Sequence, residues 1–147
     1  MARGLENNNP GNIRQSKVRY KGEVRPSRDP AFKQFESLAW GYRAIFVLLH
    51  TYRVRHGLRS IREMISRWAP PSENRTEAYI RAVSADTGIG PDEALETLDP
   101  ATMVPVAAVV FQKVCLDRSL QIPQICKYSD FWFQNNTPRR VVLIFVL

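Results

Sequence analysis

The stretch that most constrains this chain is Asn7-Asn8-Asn9-Pro10-Gly11-Asn12-Ile13-Arg14. No helix can run through it. Pro10 has no amide hydrogen and pushes Asn9 toward an extended backbone. Gly11 permits positive φ, and asparagine tolerates it better than most residues. Two readings stay open. The segment is either a turn that starts the first strand, or a rigid polar elbow whose side-chain amides face a cleft. An ordinary turn needs only two or three such residues, fewer than stand here in a row.

Residues 13–25 read as a β-hairpin with Ile13, Val18, Tyr20 and Val24 as its apolar positions and Lys21-Gly22-Glu23 at its turn. Pro26-Ser27-Arg28-Asp29-Pro30 is a loop by composition. Residues 32–37 follow as a short third strand or an extended entry, although Phe32 and Phe35 stand three apart and do not alternate. From Leu38 the apolar period becomes helical through Trp40, Ala44, Val47, Leu48 and Tyr52, with Ser37 as N-cap and Gly57 as terminator. This helix is expected to be the central core element. A second helix runs from Ser60 to Trp68 with Ser60 and Glu63 spaced as a capping box. A third starts after Asn74 as N-cap, with Glu77 three residues on, and ends near Thr87-Gly88. Residues 92–98 read as a short acidic helical turn, and residues 101–114 as a buried helix starting near Pro105. Residues 1–114 thus form one domain. Residues 115–147 form a divergent C-terminal extension, whose apolar end from Val141 to Leu147 could close a sheet as a strand.

The net charge of +7 is unevenly spread. Residues 1–60 hold twelve Lys/Arg and four Asp/Glu, residues 61–100 four against eight, and residues 101–147 five against two. A basic front half suits an anionic partner: nucleic acid, lipid headgroups or acidic cell-wall polymers. The longest apolar run is far short of the ~20 residues that cross a bilayer, and the N-terminal residues have no signal-peptide core. The expectation is synthesis in the cytoplasm without a signal peptide. Cys115 and Cys126 share no metal-like spacing with each other or with His50 and His56, so neither a zinc site nor a disulfide framework is expected, and no cofactor is implied. Both histidines are expected at the surface or at a helix end.

No phosphate loop, dinucleotide fingerprint, serine elbow or zinc helix is present. Carboxylates remain as candidate chemistry. Cleaving a sugar polymer needs a partly desolvated acid beside a polar cleft. Glu36 lies among Phe32, Phe35 and Trp40, where burial would raise its pKa. It reads equally well as a helix-entry glutamate favoured by the dipole.

The opening Arg3-Gly4-Leu5 and Asn7-Asn8-Asn9-Pro10-Gly11-Asn12-Ile13-Arg14 resembles that of phage and prophage virion structural proteins. The likeness continues through Phe32-x-x-Phe35-Glu36-Ser37, Gly41-Tyr42-Arg43-Ala44 and Arg67-Trp68-Ala69-Pro70-Pro71-Ser72-Glu73-Asn74-x-Thr76-x-x-Tyr79-Ile80. More distantly, the order is similar to peptidoglycan glucosaminidases and lysozyme-like enzymes, in which a catalytic glutamate ends a helix placed before the hairpin. Glu6 stands near that place, where the phage relatives tend to carry arginine.

What the resemblance implies is an α+β, lysozyme-like fold: a small β-hairpin lobe, a mainly helical lobe and a cleft between them. Asn9, Asn12 and Arg14 would line the cleft, Tyr42, Arg43 and Trp68 would support it, and Glu36 or Glu6 would be the acid. The implied function is that of a virion component that binds or cleaves peptidoglycan, with other virion proteins as possible partners. Two alternatives stand beside it: a binding protein that has lost the acid, and a nucleic-acid module using the basic hairpin with Tyr20 as a stacking residue. The latter ranks last, because only one aromatic is interleaved with the basic residues.

Overall fold

A computed structural model describes residues 3–115, with side chains placed from 3 to 110. The order is α1 (Arg3–Glu6), β1 (Glu23–Val24), β2 (Gln34–Phe35), α2 (Leu38–His56), α3 (Ile61–Trp68), α4 (Thr76–Thr87) and α5 (Pro100–Cys115). The architecture is α+β, with a two-stranded antiparallel sheet and a mainly helical remainder. Cys126, the expected C-terminal strand and most of the 115–147 extension lie outside the described residues. Among the described residues, no helix is long and apolar enough to cross a membrane.

Helix boundaries follow local chemistry where that chemistry is self-contained. Ser60 and Glu63 form the expected capping box, with the Ser60 side chain taking the Glu63 amide and the Glu63 carboxylate taking the Ser60 amide. Gly57 and Gly88 end α2 and α4 at φ 66° and 72°, a conformation that a side chain would oppose. Ser37 holds the N-cap position of α2 in extended backbone, but its hydroxyl makes no capping bond.

Four expectations need correction. The N-cap of α4 is Arg75, and the Asn74 amide reaches back to the Pro70 carbonyl instead. Residues 92–98 do not form a helical turn. Ala94 bridges Ser60 and the Leu95 amide donates to the Arg59 carbonyl at 2.7 Å, so long-range pairing takes up the backbone. Helix α5 starts at Pro100, ahead of Pro105. Asp99 caps it, accepting from the Ala101 amide at 3.1 Å and the Thr102 hydroxyl at 2.7 Å. Pro105 is tolerated because the carbonyl it leaves without a partner belongs to Ala101, which is exposed in the first turn.

The fourth correction concerns the hairpin. Residues 13–25 do not pair with themselves. Glu23–Val24 pairs with Gln34–Phe35, and Arg14 bridges Phe32. The segment at 32–35 is therefore the shared partner, and the turn at Gly22 (φ 72°) leads into it. The odd spacing of its phenylalanines puts them on opposite faces. Phe35 is buried with its ring edge-on to Tyr20, while Phe32 is half-buried under the Arg3 and Arg14 guanidiniums at 4.7 and 5.5 Å. Val18, expected to be a core position, is 59% exposed. Tyr20 is buried, so it offers no ring face to a nucleobase.

The core runs through all the helices. Helix α2 contributes Tyr42, Ala44, Ile45, Phe46 and Leu49, and α3 contributes Ile61, Met64 and Ile65. Helix α5 packs against α1, α2 and α4, and Met103, Val104 and residues 106–110 are all buried. Over residues 100–110, where its side chains are described, α5 is enclosed more fully than α2. Gly41 shows how tightly the elbow seats on α2. A methyl there would lie 2.1 Å from the Asn8 carbonyl oxygen and 2.5 Å from the Pro10 ring. Only glycine lets the two backbones approach this closely.

Candidate functional site

The elbow is rigid, but most of its amides point inward. Asn7 is buried and donates to Asp29 at 2.9 Å, while its carbonyl accepts the Phe35 amide. Asn8 sits at φ 50° and donates to the Phe35 carbonyl at 3.1 Å. Asn9 is fully buried; its amide donates to the Ile13 and Lys33 carbonyls at 3.0 and 2.8 Å and accepts the Ile13 amide at 2.9 Å. Asn9, expected on the cleft, is instead a clamp between the elbow and the 32–35 segment. Every polar atom of its side chain is spent on the fold.

Asn12 is the elbow asparagine that reaches a surface groove. It holds φ 46°, and its Oδ1 is covered without a hydrogen-bond partner. The groove, about 820 Å³, runs between the elbow and the α3–α4 connection. Asn12, Arg14 and Phe32 stand on one side, and Arg67, Trp68, Glu73, Arg75 and Tyr79 on the other. Gly11 backs the Trp68 ring so closely that a methyl would lie 2.8 Å from it. Gly11 is thus required by this contact; it is not among the positive-φ residues.

Arg14 and Glu73 form an ion pair across the groove, and each side chain is more than half exposed. Three arginines and one carboxylate are therefore among the lining residues, although the Arg67 guanidinium lies over the Tyr52 ring at 5.3 Å and 3.5 Å from His56 Nε2. Tyr79 donates to the Val110 carbonyl at 3.4 Å, and burial pushes its phenol well above the usual range. The wall thus combines aromatic faces, amides and an excess of positive charge. This chemistry suits a sugar-containing, anionic ligand.

The other expected site residues lie elsewhere. Tyr42 is buried in the core of α2. Arg43 is half-buried with its guanidinium 6.0 Å from the Trp40 ring, and burial lowers its pKa. Glu36 is exposed, so the aromatic frame does not close over it, and its amide donates to the Gly22 carbonyl. Glu6 is exposed at the end of α1 and lines a second depression with Arg3, Asn7, Arg28, Asp29 and Pro30. Neither glutamate lines the groove. His56 lies exposed at the end of α2 as expected. His50 is half-buried within that helix, with Nδ1 2.8 Å from the Thr97 hydroxyl. Burial lowers its pKa. Among the described residues, no group of three His, Cys, Asp or Glu could hold a metal ion.

Phe32, Glu73 and Tyr79 escaped the sequence reading as site residues. Each stands inside a motif quoted above, so the signal was in the motifs rather than in the residue types.

Two carboxylates hold together the segments around the two-stranded sheet. Asp29 is held far below the usual carboxylate range, first by Arg3, whose Nη2 donates at 2.7 Å. Burial opposes this, while the Ala31 and Phe32 amides and Asn7 reinforce it. Burial would raise the Glu23 carboxyl, but Arg25, the Tyr20 amide and Lys33 outweigh it and hold it low. A carboxylate depressed in the folded state stabilises above its unfolded pKa, about 4, and loses that stabilisation as pH falls through the folded value. Thermal unfolding followed by circular dichroism should therefore show Tm falling steeply below about pH 4, after a shallower decline that starts near about pH 6.5, where His50 takes up a proton in the unfolded chain more readily than in the folded one. Asp29→Asn should lower Tm at neutral pH and flatten the acid limb. An unchanged acid limb in that variant would show that Asp29 does not carry the effect.

No known protein-family profile matches the chain. Over 97 residues it is 44% identical to "Protein P5" of Pseudoalteromonas phage PM2, an alignment covering 64% of this chain and 61% of that protein. The chain thus spans about three fifths of the relative's length, and what that relative shows is similarity to a phage protein.

Proposed function

We propose that this chain is a phage-derived virion structural protein whose lysozyme-like domain binds peptidoglycan glycan strands in the groove between the elbow and α3–α4. The observation that carries the reading is the convergence of Asn12, Arg14 and Trp68, from segments far apart in sequence, on one groove wall set. A sugar ring stacks on the indole face, amides bond its hydroxyl and acetamido groups, and arginines meet the negative charge of the wall polymer. The likeness to a phage protein supports a virion setting, with other virion proteins as neighbours. Binding without cleavage is favoured. The carboxylate among the groove's lining residues, Glu73, is exposed and ion-paired rather than desolvated.

A second reading, cleavage of the glycan, rests on Glu6. It ends the helix that precedes the elbow, the place the lysozyme-like resemblance gives to the acid, and it lines the neighbouring depression. Purified, insoluble peptidoglycan separates the two. The binding reading expects co-sedimentation of the protein, a loss of about tenfold or more in affinity for Trp68→Ala, and no clearing of turbidity. Clearing that disappears in Glu6→Gln or Glu36→Gln would establish the enzyme instead. A protein that stays wholly in the supernatant would end the peptidoglycan reading.

A further inference from the structure

We propose that the Arg14–Glu73 ion pair is a displaceable latch over the groove, and that the ligand carries a carboxylate that takes Glu73's place on Arg14. This rests on the glycan-binding reading and adds what the groove selects. The pair joins the elbow to the α3–α4 connection, parts of the chain 59 residues apart, and both side chains line the groove. Arg14 is also positioned by its stacking on Phe32, so its guanidinium stays in place when the partner changes. Glu73 has no such support: it sits in the loop after Trp68 and is 53% exposed.

An exposed pair of this kind is weak, so opening it costs little. A ligand carboxylate entering between Arg14 and Arg75 gains a fork-shaped partner and a second cation. Glu73 meanwhile repels ligand anions for as long as it holds Arg14. The latch thus passes an acidic sugar polymer by exchange and gives a neutral one no advantage. In peptidoglycan the carboxylate can come from the lactyl ether of the sugar or from the attached stem peptide. The chemistry at Arg14 is the same for both.

The test is a titration of the full chain with three soluble probes. These are chitohexaose, which has no carboxylate; glycan strands stripped of stem peptides, which expose the lactyl carboxylate; and uncrosslinked strands that keep their peptides. The wild type should bind one or both carboxylated probes about tenfold more tightly than chitohexaose. The tighter of the two identifies the source. Glu73→Gln should raise the preference for the carboxylated probes over chitohexaose by about two- to fivefold. Arg14→Gln should erase the preference. Both side chains are exposed, so neither substitution disturbs the core. Equal binding of all three probes, unmoved by Glu73→Gln, would overturn the latch and leave glycan binding standing. Failure of every probe to bind would remove both.

Discussion

Lys33→Met is expected to destabilise the protein by about 3 to 5 kcal/mol. Lys33 is completely buried, and its ammonium donates to Glu23 at 3.0 Å, to the Val18 carbonyl at 2.8 Å and to the Ser16 carbonyl at 3.4 Å. It also lies 5.6 Å from the centre of the Tyr20 ring. The Glu23 side chain is 1% exposed, bonds the Tyr20 amide at 2.9 Å and takes Arg25 at 2.6 Å. Lys33 and Glu23, together with Arg25, which also donates to the Ser16 and Val18 carbonyls, therefore hold the 16–25 loop in place of the missing hairpin pairing. Removing the lysine leaves a buried carboxylate with only the partly exposed Arg25 as counter-charge, while the Ser16 and Val18 carbonyls keep the Arg25 guanidinium as their donor. Urea unfolding should show a lower midpoint. The pair Glu23→Gln and Lys33→Met should together cost clearly less than the sum of the two single changes, because the double variant no longer buries an unpaired charge. Strict additivity would mean that the two residues are not coupled and that the loop is held by something else.

That pair also marks the limit of what the sequence made legible. Helix ends written in adjacent residues were readable: Ser60 with Glu63, Gly57, and Gly88. Ends decided across the chain were not. The start of α4 shifts because the Thr76 hydroxyl bonds the Ala69 carbonyl, and the segment after Pro91 goes to Ser60 and Arg59 instead of to a helix. The alternation of Val18-Arg19-Tyr20 suggested a strand, but the Val18 carbonyl is spent on the side chains of Lys33 and Arg25 and the Tyr20 carbonyl on the Glu23 amide. Nothing in residues 13–25 announces that a lysine farther along will be buried among them. The groove was partly visible for the opposite reason. Asn12 and Arg14 follow the turn chemistry directly, and Trp68 closes a helix with a clear apolar face. Their conjunction with Phe32, Glu73 and Tyr79 depends on how α3 and α4 pack against the elbow, which no local pattern encodes.

The elbow itself supplies the second large effect. Asn9→Ala is expected to cost about 2 to 5 kcal/mol, although the residue is short, polar and next to a proline. The cost comes from the groups left behind. The Ile13 amide loses its acceptor and the Lys33 carbonyl loses a donor, both in a region without solvent access at Asn9. The Ile13 carbonyl is spared, since it also accepts the Lys33 amide at 2.9 Å. Asn9→Asp sharpens the point. It keeps an acceptor for the Ile13 amide but turns a carboxylate toward the Ile13 and Lys33 carbonyls, so it should be at least as damaging as alanine at neutral pH and recover partly in acid as the carboxyl protonates. Asn12→Ala is the control: its Oδ1 has no partner to lose, so apart from its φ of 46° little stabilisation disappears. Denaturant unfolding should rank Asn9→Asp and Asn9→Ala far below Asn12→Ala, whereas glycan binding should show the reverse sensitivity, with Asn12→Ala weakened in a folded protein. If Asn9→Ala were folded, stable and defective only in binding, the elbow would be a recognition surface after all, and the clamp between Asn9 and the 32–35 segment would carry no weight in the fold.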